Sequence, residues 1–343
     1  MHPHEPILIV GAGPIGLATA IAAKRRGFNP AVIDAGAIAE SIVRYPNGMS
    51  FFTTPERLEI GNHPIVTSGA KPTREDALMY YRGVARVEGL RIHPYTRLVG
   101  AQRREGAIHC VLERTLGEKR PELVVAERLV LATGYFGHPN RLEVPGEDLP
   151  HVTHYPEEAH PLAGLDVVIV GAKNSAIELA LAAFRVGARV TVVCRGPELK
   201  PSVKYWLRPD FLNRVKAGEI AVHWNTTVAA ITRQQVSIRG PEGEGGLAAD
   251  RVFLLTGYRP DFELLQRIGI LLDPETGRPS HDPTTLETNV PGVYLAGSLT
   301  AGKFISEVFI ENGRYDGEKI FGDPTSRTRA GQAADAIYRP LGE

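Results

Sequence analysis

The chain has 343 residues, long enough for about two or three domains, and its composition is that of a globular protein, with 43% hydrophobic and 23% charged residues. Lys+Arg and Asp+Glu both number 39, so the net charge is zero. This argues against nucleic acid or an anionic membrane as the defining partner. The two cysteines, Cys110 and Cys194, cannot build a disulfide framework or a cysteine-rich metal site.

The N-terminal run Met1-His2-Pro3-His4-Glu5-Pro6 carries no cationic leader, and no apolar stretch reaches the roughly 18 residues that span a bilayer. These features, with low cysteine use, predict a cytoplasmic protein. Ile7-Leu8-Ile9-Val10 reads as a first strand. Gly11-Ala12-Gly13-Pro14-Ile15-Gly16 follows, then a helix over Leu17 to Arg26 with Gly27 at its end, then a strand Pro30 to Ile33 closed by Asp34. Asp34 stands 23 residues after Gly11, near the spacing of about 20 in dinucleotide folds. Gly11 serves the tight turn, Gly13 the approach of a pyrophosphate and Gly16 the packing of helix on strand. The helix N-terminus offers unpaired N–H groups to phosphate, and Asp34 a ribose acceptor.

Downstream, Tyr80-Tyr81-Arg82 falls in an amphipathic helix whose aromatics read as packing. Cys110 lies in a strand, Ala107 to Leu112, and reads as a buried structural thiol. Leu129 to Gly134 is an apolar strand ending in Ala132-Thr133-Gly134. The segment 138–160 holds His138, His151, His154 and His160. It reads as a surface connector, with a proton donor as the alternative reading and no compact metal-ligand spacing.

A second unit repeats the first: strand Asp166 to Val170, turn Gly171-Ala172-Lys173-Asn174-Ser175-Ala176, helix Ile177 to Val186, Gly187, strand Arg189 to Val193. Lys173 replaces the middle glycine. The second strand ends in Cys194-Arg195-Gly196 with no acid, and Lys200 and Lys204 follow. Arg195 would pair with a 2′-phosphate that a carboxylate would repel, so this unit is predicted to prefer NADP over NAD. Arg195 could also lower the pKa of Cys194. Phe253 to Gly257 and Gly292 to Ser298 are further strands ending in glycine, where a cofactor would sit beside an open sheet. Two such units predict an α/β chain of two Rossmann-like dinucleotide-binding domains, with two nucleotides face to face. The tail from Asp323, ending Arg339-Pro340-Leu341-Gly342-Glu343, reads as a polar helix without chemistry.

With these motifs in this order, the sequence resembles the two-dinucleotide flavoproteins that include thioredoxin reductase. Within them it is similar to the YpdA-type bacillithiol disulfide reductases. The segments that carry this second likeness are Glu40-Ser41-Ile42 to Tyr45-Pro46, Phe51-Phe52-Thr53-Thr54, Ala132-Thr133-Gly134-Tyr135-Phe136-Gly137, Lys173-Asn174-Ser175-Ala176-Ile177 and Phe309-Ile310-Glu311-Asn312-Gly313. The likeness covers residues 7–322.

The resemblance implies an FAD domain over 1–162 and 286–343, interrupted by an NADPH domain over 163–285. The residues themselves open the second unit near Leu165 and close it after Thr256-Gly257. For FAD it implies Gly11, Gly13, Pro14, Ile15, Gly16, Asp34, Ala35, Ser41, Thr53, Thr133, Gly134, Gly297, Ser298, Glu307 and Val308, the last two on a helix starting near Ser306 that points at the flavin. For NADPH it implies Gly171, Lys173, Asn174, Ser175, Ala176, Arg195, Lys200, Thr256 and Gly257. The implied reaction carries hydride from nicotinamide C4 to flavin N5 and on to a small-molecule disulfide or a small redox protein, in a homo-oligomer.

Two departures bear on the chemistry. The Cys-x-x-Cys pair that thioredoxin reductases carry before the second glycine motif is absent; His151 to Glu158 stands there. The cysteine that YpdA-type proteins hold inside the first glycine motif is Ile15 here, which forms no mixed disulfide. Three readings therefore stand beside disulfide reduction: a thiol-free ferredoxin or flavodoxin–NADP reductase, a flavin monooxygenase, and a non-enzymatic redox sensor.

Overall fold

The computed structural model describes residues 3–337 in two compact units; residues 1–2 and 338–343, with the closing Arg339 to Glu343, lie outside the described residues. The first unit opens with strand β1 (His4–Val10), helix α1 (Pro14–Arg25) and strand β2 (Ala31–Ile33). Short helices α2 (Glu40–Val43) and α3 (Pro55–Leu58) lead to α4 (Arg74–Val87) and strands β3 (Arg91–His93), β4 (Thr96–Arg104), β5 (Ala107–Arg114) and β6 (Pro121–Leu131). β1 lies between β2 and β6, parallel to both, and Ile7 to Val10 are buried on both faces, which is why that run is apolar without alternation. β4, β5 and β6 form an antiparallel meander on one side of the sheet.

Helix α1 starts at Pro14, three residues earlier than the sequence reading. Proline at the first helical position loses no hydrogen bond, and its fixed φ suits the turn. α4 is held at its N-terminus by Thr73 and Asp76, which cap each other's backbone N–H groups. Its aromatics pack as expected: buried Tyr81 donates its hydroxyl to the Leu58 carbonyl and Tyr80 to that of His63.

The second unit contains β7 (Val152–Thr153), β8 (Asp166–Val170), α5 (Asn174–Arg185), β9 (Arg189–Val193), α6 (Leu207–Lys216) and β10 (Ala221–His223). β11 (Thr227–Ile231), β12 (Gln235–Gly240), β13 (Gly243–Ala248) and β14 (Arg251–Leu254) complete it. β10-β9-β8-β14-β7 make a parallel sheet, and β11-β12-β13 a separate antiparallel one. α5 also begins three residues before the expected Ile177.

The chain then returns to the first unit with α7 (Phe262–Ile268), β15 (Val293–Leu295), α8 (Ile310–Gly313), α9 (Asp316–Phe321) and α10 (Pro324–Ile337). β15 adds to β6, completing a seven-stranded sheet.

Among the described residues the first unit comprises 3–44, 48–138 and 258–337, and the second 45–47 and 139–257. The seams therefore fall at 138 and 257, where the resemblance puts them at 162 and 285. Two packing facts set them. β7 pairs with β14, which draws the segment after Pro139 into the second sheet. Leu264, Leu265, Ile268 and Ile270 are buried against Leu98, Ile108 and Leu129 in the first core, at roughly 1.5–3 kcal/mol for each large apolar side chain removed from water. Among the described residues no helix is long and apolar enough to cross a membrane, and no group of three or more His, Cys, Asp or Glu is placed to hold a metal.

Candidate cofactor and redox site

In the first unit the turn after β1 is shaped by backbone proximity. Gly11 has φ +111°, and a β-carbon on it would lie 2.3 Å from the Ala132 carbonyl oxygen; on Gly16 it would lie 1.9 Å from the Gly11 oxygen. Both positions are closed to any side chain. Gly13 is the opposite: nothing comes within 4 Å of its β-carbon position. It is the N-cap of α1 with no side chain capping it, so the first-turn N–H groups of the helix lie beside open space. This pairing of two closed glycines with one open one is the cradle a pyrophosphate requires.

The same geometry gathers three strand ends. Gly11 abuts Ala132 and Thr133 at the end of β6, and Gly134 faces the Ser298 hydroxyl beyond β15, 3.9 Å from its own β-carbon position. Ser298 and Thr53 are both buried. Ile15 closes the group: its Cδ1 lies 2.8 Å from the β-carbon position of Gly297 and 2.6 Å from that of Gly313.

Asp34 ends β2 and accepts hydrogen bonds from the Ala12 N–H at 2.7 Å and the Gly36 N–H at 2.8 Å. Burial raises its pKa, and these bonds oppose the rise. Each oxygen keeps acceptor capacity for a ribose. Ala35 is exposed and Ser41 half-buried on α2.

The helix expected from Ser306 begins instead at Ile310. Asn312 sets this start: its Oδ1 accepts the Phe309 N–H at 2.8 Å and its Nδ2 donates to the Glu307 carbonyl at 2.9 Å, holding 307–309 extended or turned. Glu307 and Val308 therefore lie outside the helix, and Glu307 pairs with Arg278 at 2.5 Å.

Two buried acids of this region escaped the sequence reading. Asp316, at the start of α9, is 5% exposed and its Oδ2 accepts the Gly297 N–H at 2.7 Å. Burial raises its pKa, against Lys319 and that hydrogen bond. Glu311 on α8 is likewise 5% exposed. Its sequence signal is a lone acid directly after the apolar pair Phe309-Ile310.

In the second unit Gly171 repeats the role of Gly11: at φ +136°, its β-carbon would lie 2.4 Å from the Leu255 oxygen. Lys173 is the exposed N-cap of α5, Ser175 is exposed and Ala176 buried. Asn174 is engaged with the segment before α6, accepting the Lys204 N–H at 2.9 Å and donating to the Ser202 carbonyl at 3.3 Å. Arg195 and Lys200 are exposed, as a phosphate contact requires. The Thr256 hydroxyl donates to the Asn140 carbonyl at 2.6 Å, and the Gly257 carbonyl accepts the Asn140 N–H at 2.9 Å.

Both cysteines are free and buried. Burial pushes Cys110 up to about 12 and Cys194 up to about 11. The lowering of Cys194 by Arg195 does not occur, because the thiol points into the core while Arg195 is exposed. The histidine segment is not uniformly a surface connector either. His154 Nε2 lies 3.4 Å from the buried Glu147 carboxylate, and burial depresses its pKa against that charge.

A family model for pyridine nucleotide-disulphide oxidoreductases matches residues 8–297. The chain is 40% identical over 324 residues to the bacilliredoxin reductase Bdr of Bacillus subtilis, covering 94% of this chain and 98% of that one. It is similar to the solved bacillithiol disulfide reductase Bdr (YpdA) of Bacillus cereus, with 40% identity, a TM-score of 0.89 and 95% and 99% of the two chains covered. The Staphylococcus aureus enzyme of the same name gives 35%, 0.86, 96% and 99%.

Proposed function

Because the chain belongs to the pyridine nucleotide-disulphide oxidoreductase family, we propose that it uses FAD and NADPH to reduce a low-molecular-weight disulfide, bacillithiol disulfide first among them. The observation that carries the reading is the likeness in sequence and in fold, over nearly the whole length, to two solved bacillithiol disulfide reductases.

When bound, FAD supplies the two-electron step between nicotinamide and disulfide. This chain's residues hold and surround it. Gly11, Gly13, Pro14, Ile15 and Gly16 cradle the pyrophosphate, with Gly13 on the open face. Asp34 takes the ribose, with Ala35 and Ser41 beside it. Thr53, Thr133, Gly134, Gly297 and Ser298 line the remainder, and Asp316 fixes the Gly297 backbone. Glu307 and Val308, displaced from the helix, are left out of this set. In the second unit Gly171, Lys173, Asn174, Ser175 and Ala176 form the NADPH turn, Arg195 and Lys200 face the 2′-phosphate, and Thr256 and Gly257 close the strand end.

No enzyme thiol takes part. With a pKa of about 11, Cys194 is thiolate in only about one molecule in 10⁴ at pH 7, and Cys110 in fewer. Ile15 stands where a thiol would be needed. Electrons therefore pass to the acceptor disulfide without a protein disulfide between. We place this reaction in a reducing cytoplasm, where the two unpaired thiols are stable, and in a homo-oligomer.

NADPH oxidation by the purified flavoprotein, followed with bacillithiol disulfide, glutathione disulfide and ferredoxin in turn, tests the reading. Bacillithiol disulfide is expected to give the highest kcat/KM. Efficient turnover with ferredoxin and none with any disulfide would overturn it.

A further inference from the structure

The segment 194–206, between β9 and α6, carries the two cations assigned to the 2′-phosphate, Arg195 and Lys200, both exposed. A stretch without helix or strand is costly to order when a ligand binds, and order made beforehand raises affinity. Here the segment is pinned along its length. Leu199 and Val203 are buried in the core of the second unit. The Gly196 carbonyl accepts the Asn225 N–H at 3.0 Å and the Lys200 carbonyl accepts the Val203 N–H at 3.1 Å. Arg208 donates to the Leu199 carbonyl at 3.2 Å.

The last tie comes from Asn174. The N-cap of α5 is Lys173, whose side chain caps nothing, and asparagine, a residue type well suited to capping, stands one place too late for it. Asn174 turns both its polar atoms to the segment instead: Oδ1 accepts the Lys204 N–H at 2.9 Å and Nδ2 donates to the Ser202 carbonyl at 3.3 Å. Both bonds go to backbone, so they fix the path of the chain rather than one side chain. The Lys204 ammonium is itself engaged, 2.6 Å from the Glu178 carboxylate on α5 and 5.5 Å from the Trp206 ring centroid. Lys200, by contrast, reaches solvent. The first residue of α5, directly after the Gly171 turn, thus fastens the segment that presents Lys200.

We propose that Asn174 is a positioning residue for the choice of NADPH over NADH: it binds 202–204 to the head of α5 and so holds Lys200 in place, beside Arg195, for the 2′-phosphate. The inference rests on the reading of the second unit as the NADPH site. NADH has no 2′-phosphate and gains nothing from the held segment. Loosening it therefore weakens one nucleotide and spares the other, whereas a direct contact of Asn174 with the pyrophosphate that both nucleotides share would weaken both alike.

The test is anaerobic stopped-flow reduction of the bound flavin by NADPH and by NADH, which needs no acceptor. Alanine is a strong helix former, so Asn174→Ala keeps α5. It should raise the half-saturating NADPH concentration about tenfold, as for two lost hydrogen bonds, against at most a twofold change for NADH. Hydrogen–deuterium exchange of the flavin-loaded protein without nucleotide reads the segment directly: backbone amides of 199–206, Lys204 foremost, should exchange faster in Asn174→Ala, with β8 unchanged. Lys204→Met removes the ammonium but keeps the N–H that Asn174 holds, and since a partly exposed ion pair contributes little, its preference for NADPH should stay within about threefold of the wild type's. Equal weakening of both nucleotides in Asn174→Ala would overturn the proposal, as would wild-type exchange over 199–206. A loss of preference in Lys204→Met as large as in Asn174→Ala would also overturn it, by making Lys204 the phosphate contact. A wild-type preference for NADPH that Asn174→Ala keeps in full would remove the positioning role alone. A wild-type flavin reduced equally well by both nucleotides would instead remove the NADPH reading, and the positioning role with it.

Discussion

The side chain of Ile15 fills the space that a β-carbon on Gly297 would need, its Cδ1 lying 2.8 Å from that position. The glycine is thus matched to the residue at the centre of the first cofactor motif. Gly297→Ala should cost about 1–3 kcal/mol through this overlap. Ile15→Ala in the same chain should recover part of the loss. Full recovery is not expected, because Gly297 has φ +75°, which any β-carbon strains. Thermal melts of the two single variants and the double variant would measure the coupling.

The three glycines of the first motif should separate folding from cofactor binding. Gly13→Ala meets nothing within 4 Å, so the apo-protein should melt within about 1 kcal/mol of the wild type while losing most of its bound flavin. Gly16→Ala drives a methyl into the Gly11 carbonyl and should destabilise the apo-protein itself by more than about 1 kcal/mol. Apo-protein melting curves and the flavin-to-protein absorbance ratio distinguish the two outcomes.

Much of this was legible in the sequence because it rests on local rules. The strands ending at Val10 and Val170 are apolar runs buried on both faces, and the glycines after them stand where the backbone cannot admit a side chain. The two dinucleotide units followed from finding the motif twice, and the discontinuous plan from the family resemblance. The start of α8 was not legible, since Asn312 fixes it by reaching back to Phe309 and Glu307, a choice of side-chain geometry and not of periodicity. Nor were Asp316 and Glu311, because burial of an acid depends on partners distant in sequence. The close of the second unit after Thr256-Gly257 was legible in the residues, whereas the seam at 138 was not, because it depends on which sheet β7 joins.

Arg195 is the exposed cation at the end of β9. Arg195→Ala should raise KM for NADPH about 10–100-fold, as expected for losing a charge-assisted contact of about 1.5–3 kcal/mol. KM for NADH should stay within about twofold. Steady-state kinetics with both nucleotides check the sign and the selectivity.

Asp316 should leave a mark on stability. Its folded pKa lies above that of an ordinary aspartate carboxyl, because burial disfavours the charge. Between those two values the folded state holds more protons than the unfolded one, so stability falls as pH rises through that window. Above the folded pKa the loss is complete and constant. Asp316→Asn keeps an acceptor for the Gly297 N–H and carries no charge, so its Tm should lack this decline. Melting temperatures of both proteins from pH 4 to pH 8 test this; a decline of equal size in the variant would contradict it.

The central claim is that electrons reach the disulfide without a protein thiol. The direct test is anaerobic stopped-flow on the Cys110→Ala/Cys194→Ala protein, its flavin reduced with NADPH and then mixed with bacillithiol disulfide. Reoxidation within about twofold of the wild-type rate is the predicted result. A wild-type protein that reoxidises quickly beside a cysteine-free protein that stays reduced, with flavin content and NADPH-dependent reduction intact in both, would contradict the account.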